Sequence, residues 1–180
     1  TASKRLQQQL QQQAMNDELT GLHNRRRFMQ VLEEAYAAFQ RQATPTWLMS
    51  FDVDHFKAIN DDLGHPAGDQ ALRDLAGMVQ QAAAAKDLVC RLGGDEFALL
   101  CPVRSLAEVT ALAQRLLHGG RQVLQPYATG APAPTLSIGI AHFLPQDRST
   151  EDILRRADQA LYLSKTQGGH QMSTTGCAQE

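Results

Sequence analysis

Ten residues in the middle of the chain, Arg91-Leu92-Gly93-Gly94-Asp95-Glu96-Phe97-Ala98-Leu99-Leu100, leave the backbone little local choice. Strand-forming residues stand on both sides of a glycine pair, with Leu88-Val89-Cys90 ahead of it. The pattern predicts a β-hairpin, because glycine supplies the φ > 0 conformations of a tight reversal. Asp95 and Glu96 then fall at the tip or just past it. A plain surface turn usually carries one acid, whereas two acids beside paired glycines suit a cation or a polyphosphate. On this stretch alone both readings stay open.

A second fixed point is Trp47 to Val53 (WLMSFDV), a continuous apolar run ending in acid, as expected of a buried central strand. Asp52 and Asp54 share a parity and project from one side of that strand. Around these strands the helical period recurs. Asn24 is positioned to cap a helix from about Arg25 whose apolar face is Phe28, Val31, Leu32, Ala35, Tyr36 and Phe39. Arg25, Arg26 and Arg27 read as a solvated face. His55 to Asp69 reads as a polar turn region, after which Pro66 and Gly68 lead into a helix with Leu72, Leu75, Ala76, Val79 and Ala82 inward, closed by Lys86 and Asp87. Another helix turns Leu106, Val109, Leu112, Ala113 and Leu116 inward and is expected to stop at Gly119-Gly120. Gln125 to Pro134 reads as loop, and Thr135 to Phe143 as a second buried strand. A last helix, from Thr150 or Glu151 to Gln167, buries Ile153, Leu154, Ala157, Ala160, Leu161 and Ser164. Lys165 sits at the edge of that stripe, where it either reaches a cleft or complements the helix C-terminus. Ser3 to Gln13 predicts a helix with Leu6 and Leu10 one turn apart, too short a pattern to establish a coiled coil. The expected class is α/β (α+β): a central β-sheet flanked by helices.

The totals set bounds on partners. With 180 residues the chain has room for one domain with a substantial core, and 43% hydrophobic with 20% charged residues is the balance of a globular protein. A net charge of -2 argues against a bulk grip on a nucleic-acid polymer, yet leaves room for a nucleotide. Cys90, Cys101 and Cys177 are odd in number and lack metal-ligand spacing, which fits a reducing compartment, two strand residues and one tail thiol. No apolar run has the length of a membrane span, so no membrane contact is expected of this segment, and a cytoplasmic location is. Because the chain begins at Thr1, it is expected to be a fragment whose partner domains are missing. The expected division is 1–16 as a linker helix, 17–175 as the main domain and 176–180 as a tail.

With Asp52 at the end of a central strand and Asp95 and Glu96 on the neighbouring hairpin, three carboxylates are expected to converge. Oxygen ligands suit hard divalent cations, and Mg²⁺ typically binds one or two carboxylates plus substrate phosphates. A pair of such ions about 3.5–4 Å apart assists phosphoryl transfer. No Cys/His zinc site and no GxxxxGK[ST] loop is present.

Five stretches, in order, carry a resemblance: DELTGLHNRRRF from Asp17, FDVDHFKAIND followed by GHPAGD, RLGGDEFALL, TLSIGIA, and ADQALYLSK near the end. Together they resemble the GGDEF domain, the catalytic domain of bacterial diguanylate cyclases, over nearly all of the chain from Asp17. The resemblance implies a palm-like sheet related to adenylyl cyclase and polymerase cores. It also implies one GTP per domain, and two facing domains that condense two GTP into cyclic di-GMP and two pyrophosphates. Asp52, Asp95 and the Val53 carbonyl match Mg²⁺ ligands, with Mn²⁺ as the alternative ion. Asp95 matches the residue credited with accepting the 3′-hydroxyl proton, and Glu96 is a further metal or catalytic candidate. Gly93 and Gly94 would let the backbone approach the nucleotide. Asn60 and Asp69 match a guanine-reading pair, the carboxylate accepting from the ring N–H and amino group that adenine lacks. His65 matches a substrate contact, Phe56 and Lys57 the loop around the phosphates, and Lys165 a triphosphate-binding lysine.

Two positions depart from the family pattern. Its RxxD product-inhibition site reads Ala84-Ala85-Lys86-Asp87 here, so a guanidinium clamp is lacking and feedback inhibition through it is expected to be weak or absent. After Gly168 the usual phosphate-binding arginine is Gly169, followed by His170, so one phosphate contact is expected to be missing and a Gly169→Arg comparison of KM to show it. The competing readings are a non-catalytic nucleotide-binding or interaction module of the same fold, and a cyclase with an adenine-containing product. Retention of Asp52, Asp95 and Glu96 opposes the first, and Asp69 opposes the second.

Overall fold

Strand β1 (Thr46–Asp54) is buried along all nine residues, and everything else is arranged on it. The computed structural model describes residues 1–175; the tail 176–180, with Cys177, lies outside the described residues. Helices α1 (Ala2–Gln13) and α2 (Arg25–Gln42) precede β1. After it come α3 (Phe56–Leu63), α4 (His65–Ala82), the hairpin β2 (Leu88–Gly93) and β3 (Glu96–Pro102), then α5 (Leu106–Leu124). A single 3-10 turn (Gln125–Tyr127), β4 (Thr135–His142), α6 (Thr150–Thr166) and a short β5 (Met172–Thr174) complete the order.

The strands run β2-β3-β1-β4-β5, antiparallel except for the parallel β4–β5 pair. Alternation along β1 sorts the core into two layers. Met49, Phe51 and Val53 pack with Leu72, Leu75 and Val79 of α4 and Val109, Leu112 and Leu116 of α5. Leu48 packs on the other face with Phe28 and Leu32 of α2 and Ile153 and Ala157 of α6. Asp52 and Asp54 share the parity of Leu48, so they lie on the α2/α6 face. Asn24 caps α2 as expected, its Oδ1 accepting from the Arg27 N–H at 3.1 Å, a contact whose loss typically costs about 1 kcal/mol.

Four expectations are corrected. The polar stretch after His55 is helical: α3 forms there, and α4 already begins at His65, because proline is tolerated in a first helical turn. Helix α4 ends at Ala82, not at Lys86-Asp87. Helix α5 runs through Gly119-Gly120 to Leu124. Those glycines are packing devices, not a stop: a Cβ on Gly119 would stand 2.8 Å from Met78 Sδ, and one on Gly120 2.7 Å from Leu136. Strand β5 had no sequence signal long enough to read.

Candidate active site

The hairpin closes through the two-residue turn Gly94-Asp95, with Gly93 at φ 140° and Gly94 at φ 51°, the left-handed geometry that favours glycine. A register shift between Arg91 and Gly93 kinks β2 just ahead of it. Arg91 fastens the reversal: its Nε donates to the Gly94 carbonyl and its Nη1 to Asp17 Oδ1, both at 2.9 Å. Asp17 also accepts from the Thr20 N–H and hydroxyl. Although burial works the other way, these bonds and the Arg91 charge hold its carboxyl below the usual range. The DELT stretch is thereby tied to the hairpin turn.

In β1, Asp52 stands opposite Glu96 of β3 and Ser137 of β4. It is 5% exposed. Its Oδ2 pairs with Lys165 Nζ at 2.5 Å, while its Oδ1 is buried without a partner. Burial pushes the Asp52 carboxyl up to about 6; the Lys165 bond and charge pull against this, and Asp95 and Asp54 add to it. Lys165 moves upward in turn: burial lowers it, but the Asp52 bond and the charges of Asp52, Asp95 and Asp54 prevail.

The expected convergence of three carboxylates takes a different form. Glu96 lies on the same sheet face as Asp52 but is exposed, and meets Arg25 at 3.8 Å with both side chains about three-fifths exposed. Such a surface pair contributes about 0–1 kcal/mol. Among the described residues, no group of three His, Cys, Asp or Glu side chains is gathered in metal-ligating geometry. Lys165 takes the cationic place beside Asp52, because a buried carboxylate needs a counter-charge. The donor set still fits a hard cation. Asp52 Oδ1 is buried and unsatisfied, and the neighbouring candidates (Val53 carbonyl, Asp95, Glu96) are all oxygen donors.

The expected base-reading residues gather at the α3–α4 junction. Asn60 Oδ1 lies so close over Gly68 that a Cβ there would stand 1.9 Å from it, with Phe56 Cζ at 3.3 Å from the same point. Asp69, exposed, follows the buried Gly68 just past the first turn of α4, which His65 begins. Lys57 is exposed in the first turn of α3. Asp87 is elsewhere and committed: its side chain, fully covered, accepts from Arg104 Nη2 at 2.9 and 3.1 Å and from the Ala84 N–H at 2.7 Å.

Asp54, read only as sharing a side with Asp52, holds a network. Thr135 and Ser137 hydroxyls donate to it at 2.7 Å and the His170 N–H at 3.0 Å. This also corrects the Gly169→Arg comparison. Gly169 has φ 73°, and a Cβ there would stand 2.7 Å from Asp54 Oδ2, so any side chain strains the turn as well as adding charge. The roles of Arg91 and Asp54 had only weak signals: an arginine before the glycine pair, and a second acid at strand spacing.

The family model for the diguanylate cyclase GGDEF domain matches residues 14–171. The chain belongs to the GGDEF domain family. Its relatives include the diguanylate cyclase DgcM of Escherichia coli, 38% identical over 93% of this chain and 40% of the relative, and DgcP of Pseudomonas aeruginosa, 39% identical over 87% and 23%. The chain thus spans two-fifths or less of these GGDEF proteins. Among solved structures, the coiled coil and GGDEF domain of DgcB from Caulobacter crescentus, in complex with c-di-GMP, shares 30% identity at a TM-score of 0.85, covering 97% of this chain and 94% of that one. Diguanylate cyclase SiaD from Pseudomonas aeruginosa, in complex with its activator SiaC, gives 0.81 at 29% identity, covering 97% and 66%. These GGDEF likenesses extend over the sheet and its helices, α1 included.

Proposed function

We propose that this GGDEF domain is a diguanylate cyclase, condensing two GTP into cyclic di-GMP and two pyrophosphates. The observation that carries the reading is the presence of Asp52 and Asp95 at the end of β1 and in the adjoining turn, with the buried Asp52 Oδ1 left without a hydrogen-bond partner. The relatives named diguanylate cyclase support it.

In this reading each domain holds one GTP. The 3′-hydroxyl of one attacks the α-phosphorus of the other, the P–O bond to pyrophosphate breaks, and the hydroxyl proton leaves; the second, symmetric attack closes the ring. Asp52, Asp95, Glu96 and the Val53 carbonyl would hold Mg²⁺, or Mn²⁺. When bound, the ions polarise phosphate oxygens and neutralise developing charge. Asp95 accepts the hydroxyl proton or orients that hydroxyl. Gly93 and Gly94 admit the nucleotide close to the backbone, Phe56 and Lys57 border the phosphates, and Lys165 leaves Asp52 for the triphosphate. Asn60 and Asp69 read guanine, with His65 beside them; a site built on such bonds penalises a base that leaves them unpaired. Product inhibition through Asp87 is no part of the proposal, since Arg104 already takes its carboxylate.

The second copy of the domain is the required partner. A sensory partner acting through α1 belongs to the same proposal, supported by Leu6 and Leu10, which are 58% and 56% exposed on that helix. The test is incubation with GTP and Mg²⁺ and chromatographic separation of products. Cyclic di-GMP is expected from the parent and none from Asp95→Ala. GTP left intact by the parent at every protein concentration contradicts the reading and favours a binding module.

A further inference from the structure

We propose that Asp54 is a positioning residue for Lys165, clamping the chain that leaves α6 so that the lysine ammonium is delivered to the catalytic end of β1. The proposal rests on the reading that Lys165 binds the triphosphate.

Asp52 and Asp54 leave the same face of one strand but are used in opposite ways. Asp52 keeps one buried oxygen without a partner. Asp54, 8% exposed, has both oxygens engaged: Oδ1 by Ser137, Oδ2 by Thr135 and by the His170 N–H. A carboxylate so satisfied has little left to offer a cation, whereas bonds to β4 on one side and residue 170 on the other make it a tie between sheet and loop. The loop concerned begins at the last turn of α6. The Gly168 N–H donates to the Lys165 carbonyl and the Gly169 N–H to the Ser164 carbonyl, so the two residues just before the pinned His170 are bonded directly to the backbone of Lys165 and its neighbour.

Space at the clamp is limited. Gly169 passes with its Cα against the Asp54 carboxylate, and a Cβ would meet Oδ2 at 2.7 Å and Cγ at 3.0 Å. Glycine at 169 thus serves the clamp: it gives up a side chain that could face substrate and lets the loop seat on Asp54. Lys165 is 42% exposed, with Asp52 as its only ion-pair partner among the described residues. A long, half-solvated side chain in that setting takes its aim from its backbone, and a displacement of about 1 Å in a positioned group has large consequences.

The test is the affinity of the protein for 3′-deoxy-GTP with Mg²⁺, which lacks the attacking hydroxyl and cannot cyclise, measured by calorimetry on the parent, Asp54→Ala, Asp54→Asn, Lys165→Ala and the Asp54→Ala/Lys165→Ala pair. The expected result is a loss of about tenfold for Asp54→Ala, within about twofold of parent for Asp54→Asn, and no further loss from Asp54→Ala in the Lys165→Ala background. Asparagine preserves the clamp because its carbonyl accepts from Thr135 and residue 170 while the Ser137 hydroxyl turns to accept. If Lys165→Ala weakens binding but Asp54→Ala does not, or costs the same in both backgrounds, the clamp is overturned while the triphosphate reading stands. An asparagine variant as weak as alanine overturns it too, since charge and not position would then matter. If Lys165→Ala binds like parent, the triphosphate reading falls and the clamp with it. Should Asp54→Ala fail to fold, Gly169→Ala loads the same contact: lost affinity that vanishes without Lys165 supports the clamp, and unchanged affinity overturns it.

Discussion

Asp52 shows at the scale of one residue how a functional group costs stability. Its carboxyl, buried with one unpartnered oxygen, is pushed up to about 6. The folded state therefore favours the protonated form: the penalty is fully present above about pH 6 and fades as pH falls through that value toward the ordinary 3.8. Asp52→Asn is expected to raise stability at pH 7.5 by on the order of 1–2 kcal/mol, a few degrees in Tm, while abolishing turnover. Added Mg²⁺ should narrow the difference, since the parent alone gains a ligand for the cation. Calorimetric melting of both proteins checks this, and an Asn variant that melts lower would contradict it. That an acid ends β1 was plain from the apolar run before it. That Lys165 would neutralise the acid was not, because the two lie 113 positions apart and only tertiary structure joins them.

Among elements, the seating of α6 on β4 decides how well Lys165 can be aimed. Gly139 lets the helix backbone rest directly on the strand: a Cβ there would stand 2.3 Å from both the Ala157 carbonyl oxygen and the Leu161 nitrogen. Backbone cannot swing away as a side chain can, so Gly139→Ala is expected to cost about 3 kcal/mol and to lower GTP affinity with it. Gly77, with nothing within 4 Å of its would-be Cβ, lies within α4; Gly77→Ala should instead stabilise by about 0.5–1 kcal/mol. Denaturant unfolding of the two variants separates packing from propensity. The same glycines explain where the sequence misled. Helix α5 crosses Gly119-Gly120 because Met78 and Leu136 fill the space, and tertiary contact outweighs a local stop signal. The hairpin, β1, β4 and most of the helical faces were legible because period and turn chemistry agree; Leu106, expected inward, is 46% exposed at the start of α5. The α3–α4 junction was hidden by its run of polar residues, most of them exposed, which left no apolar period to read.

For the whole molecule, pH should couple the sheet to the β4–α6 loop. His142 packs against Trp47 in a tilted arrangement, ring centroids 4.5 Å apart. Burial and then the Arg156 charge lower its pKa below 6.5, with Asp147 opposing. Its neutral form therefore supports the fold above pH 6.5, and that contribution is lost as pH falls from there through the lower folded value. His23, lowered by burial and by Arg27, acts in the same direction, and Asp52 in the opposite one. The difference between parent and His142→Phe isolates the histidine. Followed by fluorescence of Trp47, the single tryptophan, parent stability should fall relative to the variant between pH 7.5 and 5.5, and a constant difference would count against the assignment.

The family and the strand and turn that carry the candidate carboxylates could be read from the chain alone, since five motifs stand in sequence. In the proposed reading a second copy of the domain brings the other half of the site. The decisive measurement is therefore the specific activity of cyclic di-GMP formation from GTP and Mg²⁺ over a wide range of protein concentration, with Asp95→Ala as control. Specific activity should rise with concentration until dimers saturate, because in that reading the attacking hydroxyl and its target arrive on different copies. A specific activity independent of concentration down to fully monomeric protein, or product formed equally by Asp95→Ala, would contradict a site shared between two domains and centred on the hairpin.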